Sequence, residues 1–354
     1  MVLRARMSPS LVPSLLACVI LSGCAAEMQR RAGAAATGDG NESPASLDAL
    51  LAGAPDVNSL PDHAPADVVY PSSFDLLANQ TPVRFHGSRG VCTIFAAVAM
   101  MENQYKRNGE LANPDFSEQY VQWLAKTQSS TDATYMASSP DNVISVLHAH
   151  GAPLEAAWPY EENPWDESND PACVDGVDSV SNLPSYCYTN GEPPEGVADG
   201  ELFQFSGGHY IRPSESAIKA ELSSYGVGVI LTATYFSQAW GRSNDAVTHH
   251  PDYRERGIVL YPTAADLAHD RPLHLGHSVF VVGWDDEMEV ARVLADGTPE
   301  LDEEGRPVME RGFFLFKNSW GTEGFGAENS VLPGYGWISY RYAAEWAHAY
   351  AAAH

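Results

Sequence analysis

The chain has 354 residues, enough for one large or two modest domains, and its 44% hydrophobic and 19% charged content supports a packed core rather than wholesale disorder. Lys and Arg total 20 against 46 Asp and Glu, a formal net charge of −26. A surface that acidic repels phosphate backbones and anionic headgroups, which argues against nucleic-acid binding and polybasic membrane docking.

Arg4 and Arg6 precede an apolar run of 11 residues, Leu11 to Leu21. That run is short of the roughly 20 residues that cross a bilayer as a helix. A basic start followed by a short apolar stretch is the pattern of a secretory signal. Leu21-Ser22-Gly23-Cys24 then resembles a bacterial lipobox. Residues 1–23 therefore read as a lipoprotein signal peptide, with Cys24 the lipidated first residue of the mature chain. This resemblance implies a lipid anchor in the bacterial cell envelope, facing an extracytoplasmic compartment. Ala25 after the cysteine implies the outer membrane if the cell is Gram-negative. Two acyl chains already suffice for stable anchoring. Residues 24–64, rich in Ala, Gly, Asp and Pro, read as a flexible tether. Residues 65–354 form the one unit of catalytic size.

Within that unit, Gly87 and Gly90 mark a tight turn just before Cys92, and Cys92 opens a long apolar helical pattern with Gly109 as its stop. A cysteine at a helix N-terminus is placed where unpaired N–H groups and the macrodipole favour a thiolate. A buried structural cysteine is the alternative for this segment alone. Downstream, Gly276-His277-Ser278 heads a continuous apolar strand, and a second such strand ends in Asn318-Ser319-Trp320-Gly321. A nucleophilic thiol needs a base for its proton, and the base needs an acceptor to orient its other ring nitrogen. Cys92, His277 and Asn318 supply those three roles.

With these motifs the chain resembles the papain-like cysteine peptidases. Supporting landmarks are Tyr70-Pro71-Ser72, Phe116-Ser117-Glu118-Gln119, Trp158-Pro159-Tyr160 and Gly334-Tyr335-Gly336-Trp337. The resemblance implies an α+β fold of two lobes with a cleft between them: a helical lobe over about 85–200 and an antiparallel β-barrel lobe over about 205–345. It implies a cysteine endopeptidase in which Cys92 is the nucleophile, His277 shares its proton, and Asn318 holds the imidazole. Trp320 shields the His277–Asn318 bond, and the reaction passes through an acyl-thioester. Peptides or proteins are the expected substrates and a monomer the expected state. No cofactor or metal is expected: His148 and His150 sit on different faces of a helix, His249-His250 reads as a polar loop, and the acidic runs lack the glycine placement of an EF-hand.

The departures from the family pattern are specific. His86 stands where the family has its oxyanion-hole glutamine, so His86 and the Cys92 backbone N–H are the expected oxyanion donors. Arg89 replaces a cysteine that pins the loop by a disulfide, Thr93 replaces a tryptophan, and no Gly-Gly pair appears near Ser138-Ser139. His277 lies 185 residues after Cys92, beyond the roughly 130–150 of compact relatives. Two insertions account for the excess, 161–208 and 287–311, the second a hairpin around Asp296-Gly297. Cys173 and Cys187 remain after the signal, lipid and nucleophile cysteines are set aside. In an oxidising compartment they pair across the first insertion, the alternative being two free thiols in a loop. The rival functions are a catalytically inactive papain-like binding lipoprotein and a cell-envelope amidase or acyltransferase using the same trio.

Overall fold

The computed structural model describes residues 44–61, 68–129, 135–174 and 183–353. Cys24 and the signal segment lie outside the described residues. Among the described residues, no helix is long and apolar enough to cross a membrane.

Three helices build the helical lobe: Cys92–Arg107, Glu118–Thr127 and Pro140–His150. The second is capped by Ser117, whose hydroxyl accepts from Tyr120 N at 3.0 Å. The third is capped by Ser139, with Pro140 in its first turn, where a missing N–H costs nothing. The Ser138-Ser139 pair thus starts a helix where the family pattern has glycines. The Cys92 helix stops at Arg107, and Gly109 follows with φ 72°. Ile94 through Met101 are buried all round, because the helix meets its two helical neighbours on one side and the sheet on the other.

The strands are β1 (Ala45–Ser46), β2 (Ser73–Asp75), β3 (Gly208–Ile211), β4 (Val229–Thr234), β5 (Ile258–Val259), β6 (Leu275–Ala291), β7 (Met309–Lys317), β8 (Tyr335–Ser339) and β9 (Ala347–Ala352). They pair in the order β3-β9-β4-β6-β7-β8-β5, with β1 and β2 added along β6. Every pairing is antiparallel except β5 with β8. β6 is covered on both faces from Gly276 to Trp284, which is why it reads as an unbroken apolar run rather than an alternation. β9 carries the β-lobe to Ala352, beyond the 345 expected. Its Ala-rich sequence favours helix, but pairing with β3 and β4 on its two sides overrides that preference.

The first insertion holds the short helix Ser185–Tyr188 and a disulfide between Cys173 and Cys187, 14 residues apart. The second is a double hairpin rather than the single one expected. One turn closes with Gly297 N to Leu294 O (3.0 Å) and another with Gly305 N to Asp302 O (3.0 Å). Both glycines have positive φ.

Residues 45–50, expected to lie in a tether, are instead packed against the domain. β1 runs antiparallel to β6, with Ala45 opposite Gly276 and Ser46 opposite Leu275. A short helix, Leu47–Leu50, follows. Ala45, Ala49 and Leu50 are buried. The average composition of 24–64 hides a local Ala-Ser-Leu-Asp-Ala-Leu-Leu pattern that offers apolar side chains to a free strand edge.

Candidate active site

Cys92 is the first residue of its helix and has no exposed surface. The turn before it needs glycine at position 87: φ is 65°, and a Cβ there would come within 2.1 Å of the Glu162 carbonyl oxygen. The adjoining Ser88 N donates to that same carbonyl at 3.1 Å. The strand-like segment 84–86 also crosses to the Asn-Ser-Trp-Gly turn: His86 N donates to Ser319 O, Gly321 N donates to Arg84 O, and Phe85 bridges Trp320.

Arg89 holds this loop from behind. Its fully buried guanidinium donates to Gln119 Oε1 (2.8 Å), Glu161 O (3.0 Å) and Tyr188 O (3.2 Å). It also lies over the Tyr160 ring at 4.9 Å, and the Tyr160 hydroxyl donates to the His86 carbonyl at 2.8 Å. Hydrogen bonds from Arg89 therefore do the pinning that a disulfide does in the family pattern. The sequence flagged the substitution at Arg89 but not its partners.

His277 lies at the start of β6 and Asn318 immediately after β7. The two are brought side by side by the β6–β7 pairing, and His277 Nε2 bonds Asn318 Oδ1 at 2.8 Å. An amide oxygen only accepts, so Nε2 carries the hydrogen and Nδ1 the lone pair. Nδ1 has no hydrogen-bond partner among the described residues. The Trp320 indole stacks on the imidazole, with centroids 4.2 Å apart and planes inclined by 23°. The edge of Trp240 closes the other approach at 5.2 Å and 89°. Trp240 carried no motif in the sequence. It sits in the 235–241 loop, whose backbone is gripped by two buried carboxyls: Asp266 accepts from Gln238 N and Ala239 N, and Asp270 from Ser237 N. A carboxylate followed four residues later by another, on one short helix, was the available signal.

The sulfur of Cys92 accepts from the backbone N–H of Ser278 at 3.3 Å, and no hydrogen bond joins it to the imidazole. Burial pushes the thiol up to about 11. It pushes His277 down to about 3, with the nearby His86 adding to the effect and the Asn318 bond opposing it. Both groups are neutral in this arrangement at pH 7. Segment 45–50 contributes to the burial of Cys92, and Trp320 and Trp240 to that of His277. Ala45, Ala49 and Leu50 pack with Cys92 and Ala137, and Leu47 N donates to His274 O at 2.8 Å. Gly276 makes room for this cover: a Cβ there would come within 2.8 Å of Leu47 Cδ1 and 2.9 Å of Leu50 Cδ1.

His86 is buried with both ring nitrogens engaged. Nε2 accepts from Trp320 Nε1 at 2.9 Å, which leaves Nδ1 as the donor to Gly87 O at 3.0 Å. In this arrangement the ring offers no hydrogen to an oxyanion, contrary to the expectation from its position. Among the described residues, no group of three or more His, Cys, Asp or Glu could hold a metal ion.

A family model described as papain family cysteine protease matches residues 70–332. Among solved structures, xylellain, a cysteine protease from Xylella fastidiosa, is similar at 18% identity and a TM-score of 0.55, covering 85% of this chain and 94% of that one. A clostridial cysteine protease, Cwp84, solved after propeptide cleavage, is similar at 21% identity and a TM-score of 0.51. That match covers 80% of this chain and 58% of the other. No curated protein sequence matches the chain. The two-lobed layout agrees with these likenesses, and the family model covers well over half of the residues: the chain belongs to the papain family of cysteine proteases.

Proposed function

We propose that the chain is a lipid-anchored, extracytoplasmic peptidase in which Cys92 is the nucleophile and His277 Nδ1 its base. The single observation that carries the chemistry is the His277–Asn318 bond, which leaves the Nδ1 lone pair bare one residue before Ser278, whose N–H donates to the sulfur of Cys92 at a helix N-terminus. The thiol proton passes to Nδ1, and the thiolate adds to the scissile carbonyl. The imidazolium then protonates the leaving amine. Water, deprotonated by the same imidazole, cleaves the acyl-thioester and regenerates the thiol. Asn318 keeps the ring in register throughout, and Trp320 and Trp240 keep water from the His277–Asn318 bond.

The Cys92 backbone N–H is one oxyanion donor. His86 becomes the second only by exchanging its present partners, Trp320 and Gly87, for the substrate oxygen. Turnover also requires segment 45–50 to leave the cleft, since it covers the sulfur. The anchor is proposed from Leu21-Ser22-Gly23-Cys24.

Cleavage of a peptide library by the soluble domain, abolished in Cys92→Ala, is the expected result. Cleavage that survives Cys92→Ala rejects this site, and a labelled but non-cleaving thiol favours the binding-protein reading. For the anchor, wild type is expected in the detergent phase and Cys24→Ala in the aqueous phase. Detergent partition by both sinks the lipoprotein reading.

A further inference from the structure

Three hydroxyls form an unbroken chain around the sulfur of Cys92. Thr93 Oγ1 lies 2.8 Å from Ser278 Oγ, and Ser278 Oγ lies 2.9 Å from Thr232 Oγ1. All three residues are buried. They come from three elements: Thr93 follows Cys92 on its helix, Ser278 follows His277 on β6, and Thr232 is paired directly opposite Ser278 on β4. The Ser278 backbone N–H donates to the sulfur at 3.3 Å, and the hydroxyls of Ser278 and of Thr93, next to Cys92 in the chain, bond each other. Buried hydroxyls are costly unless bonded, so a chain of three in an otherwise apolar contact between helix and sheet asks for a purpose.

We propose that Ser278, backed by Thr232 and flanked by Thr93, is a positioning device for the nucleophile, holding the sulfur at the helix end and turning hydroxyl hydrogens onto it when it ionises. A thiol donates and a thiolate only accepts, so a partner that serves both states must be able to reverse its role. A hydroxyl does this by rotation; a backbone N–H only donates, weakly to the thiol and strongly to the thiolate. Thr232 does not touch the sulfur. By donating to Ser278 Oγ it leaves the single Ser278 hydrogen to turn toward Cys92 or Thr93. Charge-assisted bonds of this kind are the stronger ones, and here they act at low dielectric. The titratable neighbours are His277 and, behind it, His86, together with Arg84, Glu102, Glu118 and Lys317, which line with Ser278 the cavity between helix and sheet. The device therefore adds to the imidazole rather than replacing it.

The inference rests on Cys92 being the nucleophile, but its test reads the thiol and not turnover. The experiment is the pH profile of iodoacetamide alkylation at Cys92 in the full chain, followed by the mass of the peptide that contains it. The midpoint is compared, not the absolute rate, so the cover over the thiol scales every variant alike. Ser278→Ala is expected to move the midpoint up by about one unit, roughly a tenfold loss of thiolate at a fixed lower pH. Thr232→Val is expected to move it up by less, and Thr232→Ser, which keeps the hydroxyl, to restore it. If Ser278→Ala does not fold, the Thr232 pair decides alone. An unchanged or lowered midpoint in Thr232→Val and Ser278→Ala overturns the proposal. A shifted midpoint in a chain that cleaves no peptide upholds it while the peptidase reading fails.

Discussion

The Arg89 guanidinium donates to the backbone carbonyl of Tyr188 at 3.2 Å, joining the loop before Cys92 to the residue that follows disulfide-bonded Cys187. With Gln119 Oε1 and Glu161 O as its other acceptors, the buried cation is matched by neutral oxygens and one aromatic face. Arg89→Met would remove three hydrogen bonds, leaving Glu161 O without its donor while Gln119 Oε1 keeps Glu161 N and Tyr188 O keeps Gln122 Nε2. The expected cost is about 2–4 kcal/mol in denaturant unfolding, with a fall in kcat. Arg89→Lys is expected to recover only part of it, because an ammonium cannot span acceptors as a planar fork does. A loss below about 0.5 kcal/mol in Arg89→Met, within the scatter of surface substitutions, would remove the pinning role.

The disulfide ties down the residue just before the Tyr188 carbonyl, Cys187. A closed loop of this length contributes about 3 kcal/mol by the chain-entropy model. Replacing both Cys173 and Cys187 by Ser is expected to lower stability by that order. Because Tyr188 is shared, the effect is expected not to add to that of Arg89→Met. A double-mutant cycle measures this directly, and strict additivity would mean that the bridge and the guanidinium hold separate pieces of chain.

What could be read from the sequence divides along physical lines. The Cys92 helix, the His277 strand and the Asn318 turn were legible because each is a local pattern, an apolar period with a polar residue at its end. The Cys173–Cys187 bridge was legible from bookkeeping of the five cysteines. The partners of Arg89 and Trp240 were not, since they are fixed by contacts across about 30 to 100 residues that leave no periodic trace. The cover at 45–50 was missed because a composition average over forty residues dilutes six residues that find a strand edge. The sequence shows the position of His86 but not its partners: Trp320 donates to its Nε2, and its Nδ1 hydrogen goes to Gly87 O.

Acid stability separates the burial of His277 from that of the carboxyls. Its folded value of about 3 lies below the ordinary 6.5, so below pH 6.5 the unfolded chain takes up a proton that the folded chain does not. Stability present above pH 6.5 is therefore lost as pH falls toward 3. Buried Glu102 and Glu118 are raised by burial and slope the other way. In a wild-type minus His277→Gln difference curve of unfolding midpoint between pH 8 and 4 they cancel. The difference is expected to fall on the acid side of 6.5. A flat difference curve would mean that His277 is not held neutral in the folded chain.

Segment 45–50 is attached by two β1–β6 residue pairs, one further backbone bond to His274, and the apolar contacts of Leu47 and Leu50 over Gly276. That is a small attachment, so it opens at low free-energy cost compared with the core. Gly276→Ala places a methyl where Leu47 and Leu50 now lie and is expected to weaken it. Deleting residues up to Leu51 removes it. Both changes return water to the thiol, so the Cys92 alkylation midpoint is expected to fall from its present raised value, and the rate at pH 7 to rise, more in the deletion than in Gly276→Ala. Peptide cleavage is expected to rise in the same order. If the deletion alkylates no faster than the full chain, the segment is not what shields the sulfur, and the neutral state of Cys92 and His277 has its origin in the cleft walls themselves.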